Sequence, residues 1–340
     1  TNGCVDSSRV TVNVISRPVI VVADADVCVG DSVQLQATGA PSFQWSPAAG
    51  LSCTTCPDPM ASPSATTTYT VRGTLSSGCS DSTQVTVTVH DLPVVSAGAD
   101  QEICVGESVT LQATGAATYS WSPGTGLSCV NCDNPVASPP DTMTYVVTGT
   151  DAMGCINYDT VIVHVKPLPS ISAGNSRMIC RGDTVHLAAS GGLSYTWDAT
   201  PDLSCLSCAD PVATPVSPAV YRVTGTGANG CTDTASVGVS FHSQPVLSGG
   251  GNRDLCIGDT LQLQASGGIN YTWSPPTDLS CTACPDPDAW PAVTTTYTLK
   301  GESINGCVDS AAVTITVHPI PVVSAGPDQE ICFGDSVVLT

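Results

Sequence analysis

Basic residues are scarce in this 340-residue chain: nine Lys and Arg stand against 29 Asp and Glu, a formal net charge of −20. That balance argues against nucleic acid as a partner, because phosphates need a basic patch. It argues equally against electrostatic docking on anionic lipid. Long hydrophobic runs are missing, and no stretch approaches the ~18 apolar residues of a membrane-crossing helix. No signal peptide is visible, although a segment from the middle of a longer chain would not contain one. Helical periodicity is absent throughout. The five histidines do not cluster: His90, His242 and His318 fall at repeat junctions, and His164 and His186 on predicted strands. No Ser/His/Asp order, paired-carboxylate site or Gly-rich phosphate loop stands out, so the chain reads as a non-enzyme with no cofactor.

A repeat takes the place of such motifs. Trp45, Trp121, Trp197 and Trp273 stand 76 residues apart, and so do the leading cysteines of four CxxC pairs, Cys53, Cys129, Cys205 and Cys281. A period without insertions marks a tandem array. The predicted units are 18–92, 93–168, 169–244 and 245–320. Residues 1–17 read as the end of a preceding unit and 321–340 as the start of a following one, so the chain is expected to be a window on a longer array. The junctions, such as His90-Asp-Leu-Pro93 and His318-Pro-Ile-Pro321, are two to four residues long with proline fixing φ. Flexible arrays carry Gly/Ser linkers instead, so this one is expected to be semi-rigid.

Within the second unit, Ser108–Thr114 alternates polar and apolar residues, the pattern of a half-buried strand. Thr118–Ser122 places Tyr119 and Trp121 on one strand face. Pro123 to Pro140 is too rich in Pro, Gly and Cys for regular structure. Thr142–Thr150 and Asn157–Val165 complete the unit. Short strands with turn signals every 8–12 residues predict an all-β fold, tandem immunoglobulin-like β-sandwiches in a linear array. The tryptophans belong in the core on the third strand. Tyr69, Tyr145, Tyr221 and Tyr297 open the penultimate strand, the place of a tyrosine corner.

The blocks ICVGESVTLQATG, YSWSPGTGLSC, NPVASP, TTTYTV and NGC-x-D resemble the immunoglobulin-like, PKD-like repeats of very large surface proteins of gliding bacteria, which leave the cell by type IX secretion. The chain departs from the PKD signature in lacking Trp-Asp-x-Gly-Asp-Gly: Trp121 is followed by Ser122-Pro123. The resemblance implies an extracellular, cell-surface setting and a role as adhesin, stalk or spacer.

Eighteen cysteines at fixed spacing point to an oxidising compartment. A thiolate zinc site usually needs two CxxC knuckles, and each unit has one. A redox CxxC needs a helix N-terminus, which an all-β crossover lacks. Structural disulfides remain: Cys53–Cys56, Cys129–Cys132, Cys205–Cys208 and Cys281–Cys284 within the crossovers. In a standard sandwich the first turn and the last hairpin lie at opposite poles, too far apart for one bond. That predicts bridges between units: Cys28–Cys155, Cys104–Cys231 and Cys180–Cys307, with Cys4, Cys256 and Cys332 finding partners outside the window. The alternative is a bond within each unit, Cys28–Cys79 and its equivalents.

Asp31, Glu107, Asp183, Asp259 and Asp335 follow the first-turn glycine, and Asp58, Asp210 and Asp286 neighbour the CxxC. No DxDxDG-like string accompanies them, so turn formation accounts for them better than calcium. Nine Asp-Ser/Thr tripeptides resemble the O-glycosylation acceptor of the same bacteria, at Ser32, Ser82, Thr142, Thr160, Thr184, Thr234, Thr260, Ser310 and Ser336; the ordinary account is a strand start after a turn. The expected function is a structural stalk or filament supporting adhesion or gliding. Its partners are neighbouring repeats, further copies in a fibre and surface glycans. Multivalent glycan-binding modules, or a spacer for a distant enzyme, are the alternatives.

Overall fold

The computed structural model describes residues 2–338. The chain divides after Pro167 into two compact units. The N-terminal unit holds two copies of one six-strand pattern. The first is β1 (Ala25–Cys28), β2 (Val33–Gln34), β3 (Ser42–Ser46), β4 (Met60–Ala61), β5 (Thr67–Thr74) and β6 (Ser80–His90); the second is β7 (Gln101–Cys104), β8 (Val109–Thr110), β9 (Thr118–Ser122), β10 (Val136–Ala137), β11 (Met143–Thr150) and β12 (Ile156–Lys166). Each copy forms a four-stranded sheet, order β1-β6-β5-β3 or β7-β12-β11-β9, and a two-stranded sheet, β2-β4 or β10-β8.

Alternation builds the core. In β11, Tyr145, Val147 and Gly149 are buried and the residues between them are not, as a strand with one face inward requires. Trp121 from β9, Val161 and Val163 from β12, and Leu111, Ala113 and Ala137 from the small sheet and its continuation close the same cluster. The first copy repeats it with Trp45, Tyr69, Val71, Val85, Val87, Leu35, Ala37 and Ala61. Gly115 turns the chain into β9 at φ +91°, and a Cβ there would fall 1.8 Å from Val94 O, so no larger residue fits.

The C-terminal unit repeats the pattern twice more. Its third copy runs β13 (Arg177–Ile179), β14 (Val185–His186), β15 (Ser194–Trp197), β16 (Val212–Ala213), β17 (Ala219–Thr226) and β18 (Thr232–Phe241); its fourth runs β19 (Arg253–Cys256), β20 (Leu261–Gln262), β21 (Ile269–Ser274), β22 (Asp288–Ala289), β23 (Thr295–Glu302) and β24 (Val308–His318). Trp197 and Trp273 anchor their cores. The fold is all-β, a tandem series of immunoglobulin-like sandwiches.

Three expectations need correction. The strand predicted over Ser108–Thr114 is a ladder only at Val109–Thr110. Leu111 N and Ala113 N still donate to Pro135 O and Asp133 O, but Pro135 has no N–H to return, so regular pairing stops there. The stretch Pro123–Pro140 was expected to be irregular, yet it contains β10, held against β8. Tyr145 does stand near the start of the penultimate strand, but its hydroxyl does not close a tyrosine corner. Tyr145 Oη donates to Thr125 O, twenty residues upstream in the crossover. The hydroxyl that closes on nearby upstream backbone is that of Tyr119, which contacts both N and O of Ala116.

Candidate functional site

Two constructions recur: a crossover strapped to the third strand and a sulfur bridge between consecutive repeats. In the first crossover Trp45 N donates to Thr54 O at 2.8 Å and Trp45 Nε1 to Cys56 O at 2.8 Å. The indole therefore fills the core with its rings and holds the CxxC with its N–H. Trp121, Trp197 and Trp273 do the same to Cys132, Cys208 and Cys284. Ser52 adds a second strap: its N–H reaches Met60 O, and its Oγ accepts from Met60 N at 2.9 Å. Ser128, Ser204 and Ser280 act alike on Val136, Val212 and Asp288. Backbone polar groups along a Pro-rich segment are thus paired without long strands.

The four CxxC pairs are bonded, Cys53–Cys56, Cys129–Cys132, Cys205–Cys208 and Cys281–Cys284, with Cα–Cα distances of 6.0, 6.1, 6.1 and 5.9 Å. Sequence reasoning placed the tryptophans in the core but missed the indole bond to the second cysteine and the role of the serine before the first. The signal was there: the spacing from Trp to Cys and the Ser-Cys dipeptide are the same in all four copies.

The joints follow from strand order. β1 runs parallel to β6, with Cys28 beside His90 at the far end of that strand. Cys79 immediately precedes the eleven residues of β6, about 35 Å from that level, whereas a disulfide needs Cα atoms within ~7 Å. Cys28 bonds Cys155 instead, in the final hairpin of the second repeat, with Cα–Cα 5.6 Å. In the C-terminal unit Cys180 bonds Cys307 in the same way, with Cα–Cα 5.3 Å. Cys104 and Cys231 are also disulfide-bonded. Cys79 is unpaired and partly exposed, and Cys4, Cys256 and Cys332 are unpaired and exposed.

Both halves of a joint are prepared by local bonds. Asp151 Oδ1 accepts from Met153 N and Cys155 N, each at 2.8 Å, shaping the hairpin. Val29 N donates to His90 O, and Asp31 N to Cys28 O. His90 Nε2 lies 2.8 Å from Asp26 Oδ1; at the matching positions Lys166 meets Glu102 and His318 meets Asp254. Asn157 Nδ2 donates to Pro93 O, tying the second repeat's last strand to its own entry.

The recurring acids serve turns. Glu107 Oε2 accepts from Cys104 N and Asp183 Oδ2 from Cys180 N. Among the described residues no group of three or more His, Cys, Asp or Glu is placed to hold a metal ion. Ser32, Ser82, Thr142, Thr160, Thr184, Thr234, Thr260, Ser310 and Ser336 are all exposed. Thr142 Oγ1 also accepts from Val165 N at 3.0 Å.

Burial pushes the hydroxyls of Tyr69 and Tyr145 above the ordinary tyrosine range. Tyr297 is raised by burial and then by the charge of Asp278. The third copy differs, since Tyr221 donates to the Asp202 carboxylate rather than to a backbone carbonyl. Burial, that hydrogen bond and the carboxylate charge together raise Tyr221 furthest. Burial alone would raise Asp202, but hydrogen bonds, led by the one from Tyr221, hold it below the usual carboxylate value.

No family model matches the chain, and no curated protein does. Among solved structures it is similar to the N-terminal eight immunoglobulin domains of Down syndrome cell adhesion molecule, at 14% identity and TM-score 0.35, covering 89% of this chain and 49% of that one. The chain therefore spans about half the length of that structure. It is similar also to the I67–I69 fragment of titin, at 14% identity and TM-score 0.36, covering 68% of this chain and all of the fragment. A third is the human desmocollin-1 ectodomain, at 10% identity and TM-score 0.24, covering 92% and 81%.

Proposed function

We propose that this chain is part of an extracellular structural array: a semi-rigid, disulfide-stabilised stalk or filament on a bacterial surface, supporting adhesion or gliding. The observation that carries the reading is the pair of bridges Cys28–Cys155 and Cys180–Cys307, each fastening one repeat to the next. A protein of independent binding beads has no use for such bonds. Closing loops of 127 residues stabilises by up to ~4–5 kcal/mol each in the chain-entropy model. The same reading pairs Cys104 with Cys231, so that every joint is fastened, and takes 18–92, 93–168, 169–244 and 245–320 as its building units. It takes the array to be non-enzymatic. The nine exposed Ser and Thr hydroxyls after Asp suit surface glycosylation, which an intact mass of natively sourced protein tests.

The experiment is small-angle scattering of the oxidised and the reduced chain, with a non-reducing peptide map of the same sample. The expected result is an elongated, stiff oxidised particle that loosens on reduction, with Cys28–Cys155 and Cys180–Cys307 in the map. An oxidised chain that scatters as a flexible coil, or a Cys28–Cys79 peptide, overturns the reading.

A second reading, multivalent glycan- or surface-binding modules, draws on a shallow groove of about 670 Å³ beside the second crossover, lined by residues that include Tyr119, Asn131 and Asp133. The groove offers polar groups but only one aromatic ring, so it ranks below the stalk. Specific binding of a two-repeat fragment on a glycan array, lost when Asn131 and Asp133 are replaced, reverses that order.

A further inference from the structure

Two outward-facing places break the repeat, and they break it in complementary ways. On the exposed face of β12, Tyr158 stands where the other three repeats carry Ser82, Thr234 and Ser310. It is 70% exposed, and Ile156, two residues earlier on the same face, is 56% exposed. The third repeat has a hollow instead. The first and fourth repeats join a threonine pair across their last two strands, Thr68 to Thr86 at 3.2 Å and Thr296 to Thr314 at 2.9 Å. At that place the third repeat sets Val220 opposite Gly238. The amide beside the pair differs as well. Thr86 N, Ile162 N and Thr314 N donate to Asp24, Asp100 and Asn252. Ser176 takes that position in the third repeat, and no side chain among the described residues caps Gly238 N. The result is an open hollow of about 360 Å³, lined by residues that include Ser176, Pro218, Val220, Gly238 and Ser240.

From this pair of departures we infer that Tyr158 of one copy of this chain seats in the Gly238 hollow of a second copy. A tyrosine suits the hollow with both its ends. The ring packs on Pro218 and Val220, and the hydroxyl accepts from Gly238 N and donates to Ser176 Oγ. Charge favours the same pairing. Residues 93–168, around the knob, hold seven acids and one base; residues 169–244, around the hollow, hold five acids and three bases. They are the most and the least acidic of the four repeats. Arg222 stands two residues beyond Val220 on β17. Copies of a chain of net charge −20 meet with least repulsion where these two repeats face each other. Each copy has one knob and one hollow, so the contact closes reciprocally or runs on from copy to copy. It rests on the stalk reading only in taking further copies as partners in a fibre, and it does not depend on the sulfur bridges.

The test is sedimentation equilibrium of the full oxidised chain over a range of concentrations. Tyr158→Ser and Gly238→Thr each install the residue that the first and fourth repeats carry. Each should weaken self-association by about tenfold or more. Mixing the two variants should restore one contact, with the tyrosine of the Gly238→Thr chain in the hollow of the Tyr158→Ser chain. The product is a 1:1 pair and nothing longer. Amide exchange at Gly238 should slow on association in the unaltered chain and in the mixture, and in neither variant alone. Ser176→Asp returns the cap that Asp24 and Asp100 provide; it should weaken association as Gly238→Thr does, and it replaces that variant if the threonine misfolds. An unaltered chain that stays monomeric, variants that associate as it does, or a mixture that stays unpaired overturns the inference. If Cys28–Cys155 and Cys180–Cys307 appear in the peptide map of the same sample, the stalk reading survives that failure; if they are missing, the stalk reading falls on its own account.

Discussion

Two stretches of this chain share almost one sequence and differ in structure. Residues 93–104 read PVVSAGADQEIC and residues 321–332 read PVVSAGPDQEIC. In the first, Gln101–Cys104 forms β7, paired parallel to Val163–Lys166 of β12. In the second, Gln329–Cys332 carries the same four residues and forms no strand. Ile103 is buried and Ile331 is exposed. The difference is the partner. β7 exists because the last strand of its own repeat lies beside it, some sixty residues later in the chain, and nothing in QEIC alone fixes it as a strand. Strand propensity is a fit to neighbours more than an intrinsic preference.

The sharpest way to break the comparison is to place the same partner strand beside the second stretch. A chain lengthened beyond residue 340 by a copy of residues 113–166 should turn Gln329–Cys332 into a strand. Its amide exchange should slow by about three orders of magnitude, toward that of Gln101–Cys104. Unchanged exchange would mean that the partner strand alone does not make the difference. The reverse experiment removes a partner that is present. Val163→Pro in the centre of β12 should cost ~3 kcal/mol or more and leave Gln101–Cys104 exchanging like the C-terminal copy; denaturant unfolding with exchange mass spectrometry reads both.

A milder change loosens the second repeat without touching either stretch. Trp121→Phe gives up the indole bond to Cys132 O and some core volume, about 1–3 kcal/mol, and the crossover around Cys129 and Cys132 should become the first part of that repeat to exchange. If the loss instead spreads evenly through the repeat, the strap has no separate role.

Alkaline pH probes the buried tyrosines of the first two repeats. Because burial raises Tyr69 and Tyr145, their contribution is fully present below the ordinary tyrosine value near ~10 and is lost as pH rises through their higher folded values. Tyrosinate absorbance should show these rings titrating late and together with unfolding. The smallest effect belongs to the third repeat. Asp202 is held low, so its contribution is present above the ordinary carboxylate value of ~4 and fades as pH falls through its own. Asp202→Asn should remove that acid dependence and cost ~1 kcal/mol, with Tyr145 and its carbonyl acceptor as the insensitive control.

What the sequence revealed and what it hid follow the same division between local and partnered features. The tryptophan period and the alternation in Tyr145, Val147 and Gly149 are local patterns, and they located the cores. β10 stayed hidden because Pro135 and its neighbours look like a loop until β8 is beside them. The hydroxyl partners of Tyr145 and Tyr119 stayed hidden because which carbonyl a hydroxyl meets depends on the crossover's path, and spacing is silent on that. For the cysteines, spacing left two pairings open. What separates them is that β1 lies parallel to β6, which places Cys28 at the end of the repeat away from Cys79.

The linkage of Cys28 to Cys155 and of Cys180 to Cys307 also decides how far the chain can stretch under tension. The shortest covalent path from residue 2 to residue 338 leaves the backbone at Cys28, re-enters at Cys155, leaves again at Cys180 and re-enters at Cys307. Residues 29–154 and 181–306 are side loops on that path, and no unfolding within them adds to its length. Only residues 2–28, 155–180 and 307–338 can be drawn out. While the sulfur bonds hold, the tether gives up a small fraction of its contour and then stops; once they are reduced, the whole polypeptide becomes extensible.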